Sequence, residues 1–161
     1  MSTLRPKLNP DTENFLEGFL MLRGMSTVTY YADDVAAARA WYTEFLGVEA
    51  YFEGRAPDGS LGYVEFRIGD YLAELGIAQR KFEVTPSDGP AGAVLLWAVD
   101  DLEATLARLH ELGAKTHDEP RVRGEGYVTA SVVDPFGNIL GIMTNVHYMS
   151  VVQENRDKRL G

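Results

Sequence analysis

The stretch from Val28 to Gly47 reads VTYYADDVAAARAWYTEFLG, and the stretch from Leu95 to Gly113 reads LLWAVDDLEATLARLHELG. Each contains a short apolar strand, an Asp-Asp pair, a helix with one apolar face and a Leu-Gly stop. An Asp before a helix accepts hydrogen bonds from the free N–H groups of the first turn, and a Gly after the helix supplies the left-handed residue that ends it. The chain therefore contains an internal repeat of a strand–helix unit.

The segments that follow the two helices also match. Gly62-Tyr63-Val64 corresponds to Gly126-Tyr127-Val128, and each triplet opens a pair of strands. In the second half, the Asp-Pro-Phe-Gly-Asn turn at 134–138 joins two antiparallel strands. One more strand is predicted directly after each helix, over 48–53 and 114–119. Each half is thus a βαβββ module, and two modules are expected to bury a common core because one alone would leave a sheet face bare.

The repeat divides the chain into four segments. Residues 1–24 are predicted to be an N-terminal helical extension, with Asn9 as its cap, Pro10 at the first helical position and an apolar face that contains Phe15 and Phe19. The first βαβββ module covers 25–88 and the second covers 89–150. Residues 151–161 form a charged C-terminal tail whose end is expected to fray.

Composition excludes several classes of function. With 161 residues, of which 45% are hydrophobic, the chain suits one compact domain or two small modules with a shared core. The net charge of −9 is spread along the chain, which argues against nucleic acid as a partner. No segment is apolar enough over a sufficient length to cross a membrane or act as a signal peptide. There is no cysteine, so disulfides and thiolate ligands are excluded. A cytoplasmic location is expected.

Two βαβββ halves, with DPFGNILGIM closing the second, resemble the vicinal oxygen chelate superfamily, which includes glyoxalase I, extradiol dioxygenases and bleomycin resistance proteins. The resemblance covers roughly residues 26 to 148. It implies an α+β fold of the glyoxalase/bleomycin-resistance type, in which the modules form a curved, cup-shaped mixed sheet with helices on its convex face. It also implies a homodimer, although a fold alone does not define a reaction.

Metal-binding members of this family hold their ion at two places in each module. One is near the start of the first strand, seven residues before the cap Asp, and the other is in the last strand. Here these four places are taken as Thr27, Glu74, Val94 and Gly141. One carboxylate cannot replace the three or four ligands that a divalent ion normally requires, so no metal and no other cofactor is predicted. The three histidines, His110, His117 and His147, are interpreted as surface or edge residues.

Strand alternation predicts which side chains line the cup. Val64 and Phe66 should face a helix, as should Ala130 and Val132, and their neighbours should face the cup. Thr27, Val94, Ala98, Ser131 and Ile139 are placed on this wall. The predicted ligand-binding set is Thr29, Tyr31, Tyr63, Glu65, Arg67, Leu72, Glu74, Leu96, Tyr127, Thr129 and Met143.

Glu74 is the candidate catalytic residue, and two interpretations of it stay open. If it is buried among Leu72, Tyr31 and Met143, its pKa rises and it could act as a general acid or base. In the alternative, it is a carboxylate hydrogen-bonded to a neighbouring Tyr or Arg.

The first functional hypothesis is a metal-free protein that binds an aromatic or amphipathic small molecule, with a drug-sequestering or resistance role. The alternative is an enzyme of the same superfamily, a lyase, isomerase or dioxygenase, that uses Glu74 as a base or metal ligand. A third hypothesis is an interaction module that docks through residues 1–24.

Overall fold

The computed structural model describes residues 25–83 and 86–160. The first module contains β1 (Thr27–Ala32), α1 (Val35–Leu46), β2 (Phe52–Arg55), β3 (Leu61–Ile68) and β4 (Ala73–Gln79), followed by a 3-10 turn (Arg80–Phe82). The second contains β5 (Leu96–Ala98), α2 (Leu102–Glu111), β6 (Lys115–Gly124), β7 (Tyr127–Val133), β8 (Ile139–Asn145) and α3 (Val146–Leu160). The two βαβββ modules predicted from the repeat are therefore confirmed.

Each module forms its own four-stranded mixed sheet. The strand order is β1-β4-β3-β2 in the first sheet and β5-β8-β7-β6 in the second. In both sheets the first strand pairs in parallel with the last strand, and the other pairs are antiparallel. The fold is α+β, as predicted, and it consists of two equivalent open sheets.

The helix ends follow the capping chemistry that the sequence predicts. The side chain of Asp34 accepts a hydrogen bond from the backbone N–H of Ala37 at 2.9 Å, and Asp101 accepts one from Ala104 at the same distance. Gly47 adopts a left-handed φ of 69° at the end of α1, and Gly113 adopts 89° just beyond α2. These conformations favour glycine because a Cβ atom strains them.

The helices cover the convex faces of the sheets. Val64 and Phe66 of β3 are fully buried, and so are Ala130 and Val132 of β7, which confirms the predicted alternation. The buried side of α1 consists of Val35, Ala38 and Tyr42. The convex faces of both modules contribute to one continuous hydrophobic core.

A buried hydrogen bond links the two modules within this core. The Tyr42 hydroxyl of α1 donates to Oδ2 of Asp134, in the turn between β7 and β8, at 2.7 Å. Burial, followed by the negative charge of Asp134, raises the pKa of Tyr42 well above its ordinary value. Trp41 lies beside Tyr42 and donates to the carbonyl of Leu112 at 2.7 Å. Helix α1 therefore packs against both modules.

Three element boundaries differ from the sequence predictions. The strand predicted over 48–53 begins only at Phe52, and the strand predicted over 114–119 continues to Gly124. The predicted charged tail, 151–161, lies largely within helix α3, which begins at Val146. The helix predicted for 1–24 lies outside the described residues.

Helix α3 is ordered by contacts that its charged composition did not suggest. Its Asn155 donates to the hydroxyl of Tyr71 at 2.7 Å, and its Arg156 forms an ion pair with Asp70. The rings of Tyr148 and Tyr71 meet edge to face, with centroids 6.2 Å apart. The helix is thereby attached to the turn between β3 and β4. In the parts of the chain that the structure describes, no helix has the length and apolar character needed to span a membrane.

Candidate functional site

The concave face of the first sheet carries a cluster of polar side chains around Glu74. Thr27 donates to Oε2 of Glu74 at 2.7 Å, and the Tyr51 hydroxyl donates to Oε1 at 3.3 Å. A guanidinium nitrogen of Arg67 lies 3.1 Å from Oε1. The strand register explains two of these contacts, because Glu74 is the direct partner of Thr27 on β1 and of Arg67 on β3.

These contacts decide between the two interpretations of Glu74. The hydrogen bond from Thr27 has the largest effect and lowers the pKa of Glu74, and the interaction with Glu65 and the charge of Arg67 lower it further. Glu74 is therefore a carboxylate held by donors at neutral pH. The structure shows the hydrogen-bonded carboxylate, and the burial on which a raised pKa depended is not present.

Aromatic side chains extend this cluster across the sheet. Tyr51 and Phe52 are half-exposed, at 49% and 50%, and the guanidinium of Arg67 lies 4.5 Å from the centroid of the Tyr51 ring. The rings of Phe52 and Tyr63 are 6.2 Å apart. Burial of Tyr63, followed by the charge of Glu65, raises its pKa to about 12. The face thus combines aromatic surface with a fixed carboxylate.

Tyr51 and Phe52 were not in the site predicted from sequence. The strand predicted over 48–53 begins only at Phe52, and the alternation that assigns the faces of β3 and β7 does not extend to it. Phe52 is the register partner of Glu65, which places both residues on the same face. The pairing of Phe52 with Glu65 is the signal that could have identified Phe52 as a residue of this face.

The strand register also corrects one equivalence between the modules. Thr29 lies five residues before the cap Asp34 and pairs with Gly76, whereas Leu96 lies five residues before the cap Asp101 and pairs with Gly141. The equivalent of Gly141 in the first sheet is therefore Gly76. Residue counting had placed Glu74 at this position, two residues before Gly76, which the strand register places there.

Neighbouring side chains fill the space above both glycines. A Cβ atom on Gly76 would overlap the ring and hydroxyl of Tyr63. A Cβ atom on Gly141 would lie 2.7 Å from the carbonyl oxygen of Leu95 and 2.8 Å from the side chain of Leu96. Neither place has room for a ligating carboxylate in this packing.

The donor set does not fit a metal ion. Val94 and Gly141 in the second module have no side-chain lone pair, and neither does Gly76 in the first. Among residues 25–83 and 86–160, no group of three or more His, Asp or Glu side chains is arranged to hold an ion. A divalent ion normally requires three or four protein ligands. The residues that are present offer Glu74 and the hydroxyl of Thr27, which are bonded to each other.

The concave face of the second sheet contains a separate cavity of about 350 Å³. The predicted site residues Leu96 and Thr129 line it together with Val94 and Ser131. Its remaining polar lining comes from β6, namely His117, Asp118 and Arg123. The imidazole Nδ1 of His117 lies 2.9 Å from the hydroxyl of Ser131. His117 is an exposed residue of the edge strand β6, in agreement with its interpretation as a surface or edge residue, and this contact adds to that interpretation.

The predicted site residues are divided between several places. Tyr63, Glu65, Arg67 and Glu74 lie together on the first sheet, and Leu96 and Thr129 lie together on the second. Tyr127 begins β7 opposite Asn145. Thr29, Tyr31 and Ile139 line a cavity of about 490 Å³ at the junction of the modules. Met143 and Ala98 line a groove of about 1300 Å³ beside α3, which also includes Leu96.

The structure places Leu72 outside the predicted wall. It lies in the turn before β4 with a φ of 53° and is 60% exposed, so the alternation of β4 does not extend to it. Tyr31 is fixed at the junction, where its backbone N–H donates to the side-chain oxygen of Asn138 at 2.9 Å. Leu72 and Tyr31 therefore do not enclose Glu74 in the way that one interpretation of the sequence required.

Comparison with known proteins identifies the relatives of this architecture. The family model of the Glyoxalase/Bleomycin resistance protein/Dioxygenase superfamily matches residues 24–142. A superfamily member from Sphaerobacter thermophilus DSM 20745 aligns with a TM-score of 0.62 at 17% identity, over 78% of this chain and 100% of its own.

Two further structures show the same fold. A glyoxalase-related enzyme from Fulvimarina pelagi aligns with a TM-score of 0.59 at 20% identity, over 77% of this chain and 89% of its own. TioX from Micromonospora sp. ML1 aligns with a TM-score of 0.57 at 14% identity, over 76% of this chain and 99% of its own. Comparison with proteins of curated function gave no significant match. At these identities the likeness concerns the fold.

Proposed function

This chain belongs to the Glyoxalase/Bleomycin resistance protein/Dioxygenase superfamily, and from that membership we propose that it binds an aromatic or amphipathic small molecule on its concave faces without a metal. A drug-sequestering or resistance role is one use of such binding. A cytoplasmic location and a homodimeric state stay predictions from the sequence.

The observation that carries this proposal is that neighbouring groups fill the space above the two equivalent glycines. Gly76 lies beneath the Tyr63 ring, and Gly141 lies beneath Val94 and Leu96. Where a ligating carboxylate would project from the sheet, this chain presents the side of an aromatic ring or an aliphatic patch. Metal chemistry is thus replaced by surface suited to packing against an apolar ligand.

The exposed apolar side chains support the same proposal. Tyr51 and Phe52 are about half-exposed on the first sheet, and Val94 and Leu96 are exposed on the second. Ligand sites are typically lined by apolar and aromatic groups with a few fixed polar groups among them. Here Arg67 and Glu74 are the fixed polar groups of the first face.

The enzymatic alternative receives less support from the chemistry of Glu74. A general base is most efficient when its pKa lies near the working pH, and the donors around Glu74 lower its pKa instead. The related protein from Fulvimarina pelagi is described as a glyoxalase-related enzyme. A lyase, isomerase or dioxygenase activity in this chain would require Glu74 to act as a base or ligand despite its three donors.

A thermal-shift screen with aromatic and amphipathic compounds, followed by titration calorimetry, tests the proposal. We expect at least one compound to bind saturably. We also expect Phe52→Ala to weaken it about tenfold, which corresponds to about 1.4 kcal/mol of lost ring contact and burial. Phe82→Ala is the matched control, because Phe82 is a similarly exposed phenylalanine in the turn after β4. Equal effects of the two substitutions, or no saturable compound, would contradict the proposal.

A further inference from the structure

The cavity on the second sheet is built on two buried hydroxyl groups. Thr129 and Ser131 are 9% and 3% exposed, and their spacing along β7 directs both side chains to the concave face. The partner strand β6 has register shifts between Asp118 and Arg121 and between Val122 and Gly124. Such irregularities redirect side chains, and Arg123 lies over Thr129 after the first of these two shifts.

The hydrogen bonding of Thr129 leaves one proton without an acceptor. Its Oγ1 accepts from Nε of Arg123 at 3.0 Å. A hydroxyl carries one donor in addition to its acceptor sites, so Thr129 still has a proton to donate. None of the residues that the structure describes accepts it. A buried donor is costly to leave unsatisfied, and the cavity is where an acceptor could lie.

Arg123 presents further donors at the same cavity, and His117 presents a second ring nitrogen. The terminal nitrogen Nη2 of Arg123 lies 3.8 Å from Oδ2 of Asp118, which is beyond hydrogen-bond distance. Both terminal nitrogens of this guanidinium therefore remain without a hydrogen bond among the described residues. His117 uses Nδ1 for Ser131, which leaves Nε2 for another partner. A planar guanidinium edge matches the geometry of a carboxylate.

The balance of charge at this cavity is positive. Asp118 is the acidic residue in its lining, and Arg121 binds its Oδ1 at 2.8 Å. Arg121 lies outside the lining and offsets the charge of Asp118, so Arg123 contributes a net positive charge at the cavity, in a chain whose net charge is −9. The first sheet has the opposite balance, because Glu65 and Glu74 are accompanied by the single charge of Arg67. The two faces therefore differ in the ligand groups that they can accept.

We infer that the cavity recognises a carboxylate, or an oxyanion of similar size, on the bound ligand. Arg123 and Thr129 donate to the oxygens, and Val94 and Leu96 contact the adjacent apolar part. This inference rests on the proposed function and adds the ligand's chemical class to it. Arg123 is accordingly a specificity-determining residue.

Two probes that differ only in charge test the inference. We expect 2-naphthoate to bind about tenfold more tightly than 2-naphthamide in titration calorimetry, with chemical-shift changes at the amides of Thr129 and Ser131. Arg123→Gln should abolish this preference and leave naphthamide binding within about twofold. The matched control is Arg108→Gln, which removes the same charge from the surface of α2 at a residue that neither lines the cavity nor pairs with its lining.

The remaining outcomes separate the inference from the proposed function. Equal affinity for the two probes would overturn the inference and leave the binding function intact. An identical loss in Arg108→Gln and Arg123→Gln would also overturn it, because the preference would then reflect overall charge. If neither probe binds, the inference fails. The proposed function fails with it only if the wider screen also finds no ligand.

Discussion

Replacing Asp134 by alanine is expected to lower the free energy of unfolding by about 3–5 kcal/mol, the range for breaking a buried charged network. Asp134 is 3% exposed, and its carboxylate accepts from the backbone of Phe136 at 2.9 Å, the backbone of Asn138 at 2.8 Å and the Tyr42 hydroxyl at 2.7 Å. The side chain of Asn138 donates to it as well, at 2.9 Å. The substitution leaves buried donors in both modules without an acceptor. Urea denaturation followed by circular dichroism measures the loss.

Tyr42→Phe is a milder substitution in the same hydrogen-bond network, and its cost is compared with that of Asp134→Ala. It removes one of these hydrogen bonds and leaves the turn intact, so we expect a loss of about 1–2 kcal/mol. Tyr148→Phe is the control, because the hydroxyl of Tyr148 forms no hydrogen bond with the described residues and its ring contact with Tyr71 is preserved. If Asp134→Ala costs no more than Tyr42→Phe, the turn at 134–138 is not the hub that joins the modules.

Gly141→Ala is expected to destabilise the protein by about 1–3 kcal/mol, the usual cost of overpacking. The new Cβ atom would lie 2.7 Å from the carbonyl oxygen of Leu95, and this backbone atom belongs to the segment that leads into β5. Backbone can move away only by disturbing the pairing of Leu96 with Gly141. Guanidinium denaturation provides the measurement.

Gly76→Ala is the matched substitution in the first sheet, and its cost should be smaller. The atoms that a Cβ would meet there belong to the side chain of Tyr63, which can rotate toward the open concave face. We expect ligand affinity to change more than stability, because Tyr63 forms part of the aromatic surface. A stability loss equal to that of Gly141→Ala would contradict the difference in packing above the two glycines.

The fold could be predicted from sequence because its signals are local and repeated. The caps Asp34 and Asp101 define where the helices begin, and alternation along β3 and β7 defines which side chains are buried. Two independent copies of one pattern supported the same topology. These features depend on neighbours within a few residues along the chain, which the sequence displays directly.

The positions of site residues depended on strand register, which the sequence does not display. By residue counting, Gly141 of the second module corresponds to Glu74 of the first. The strand pairing of β1 with β4 shows that it corresponds to Gly76 instead. The turn between β3 and β4 differs in length from the turn between β7 and β8, so one numerical offset cannot hold throughout the repeat. The left-handed φ of Leu72 likewise interrupts the alternation at that turn.

The polar side chains that β6 contributes to the second cavity were missed for a related reason. His117 and Arg123 come from an edge strand whose pairing shifts at several points, so simple alternation does not predict the direction of their side chains. Helix α3 was missed because its contacts with Asp70 and Tyr71 are distant in sequence. Both features require the assembled sheets before they become visible.

Elemental analysis of protein purified without a histidine tag tests the central claim most directly. The protein would be incubated with Zn²⁺, Ni²⁺, Mn²⁺ and Fe²⁺ in turn, dialysed, and measured for bound metal, with Glu74→Gln in parallel. We predict substoichiometric metal in every case and no difference between the two proteins, because the equivalent positions Gly76, Val94 and Gly141 have no donor to offer. One ion per chain that disappears in Glu74→Gln would contradict the assignment of this protein as a metal-free binder.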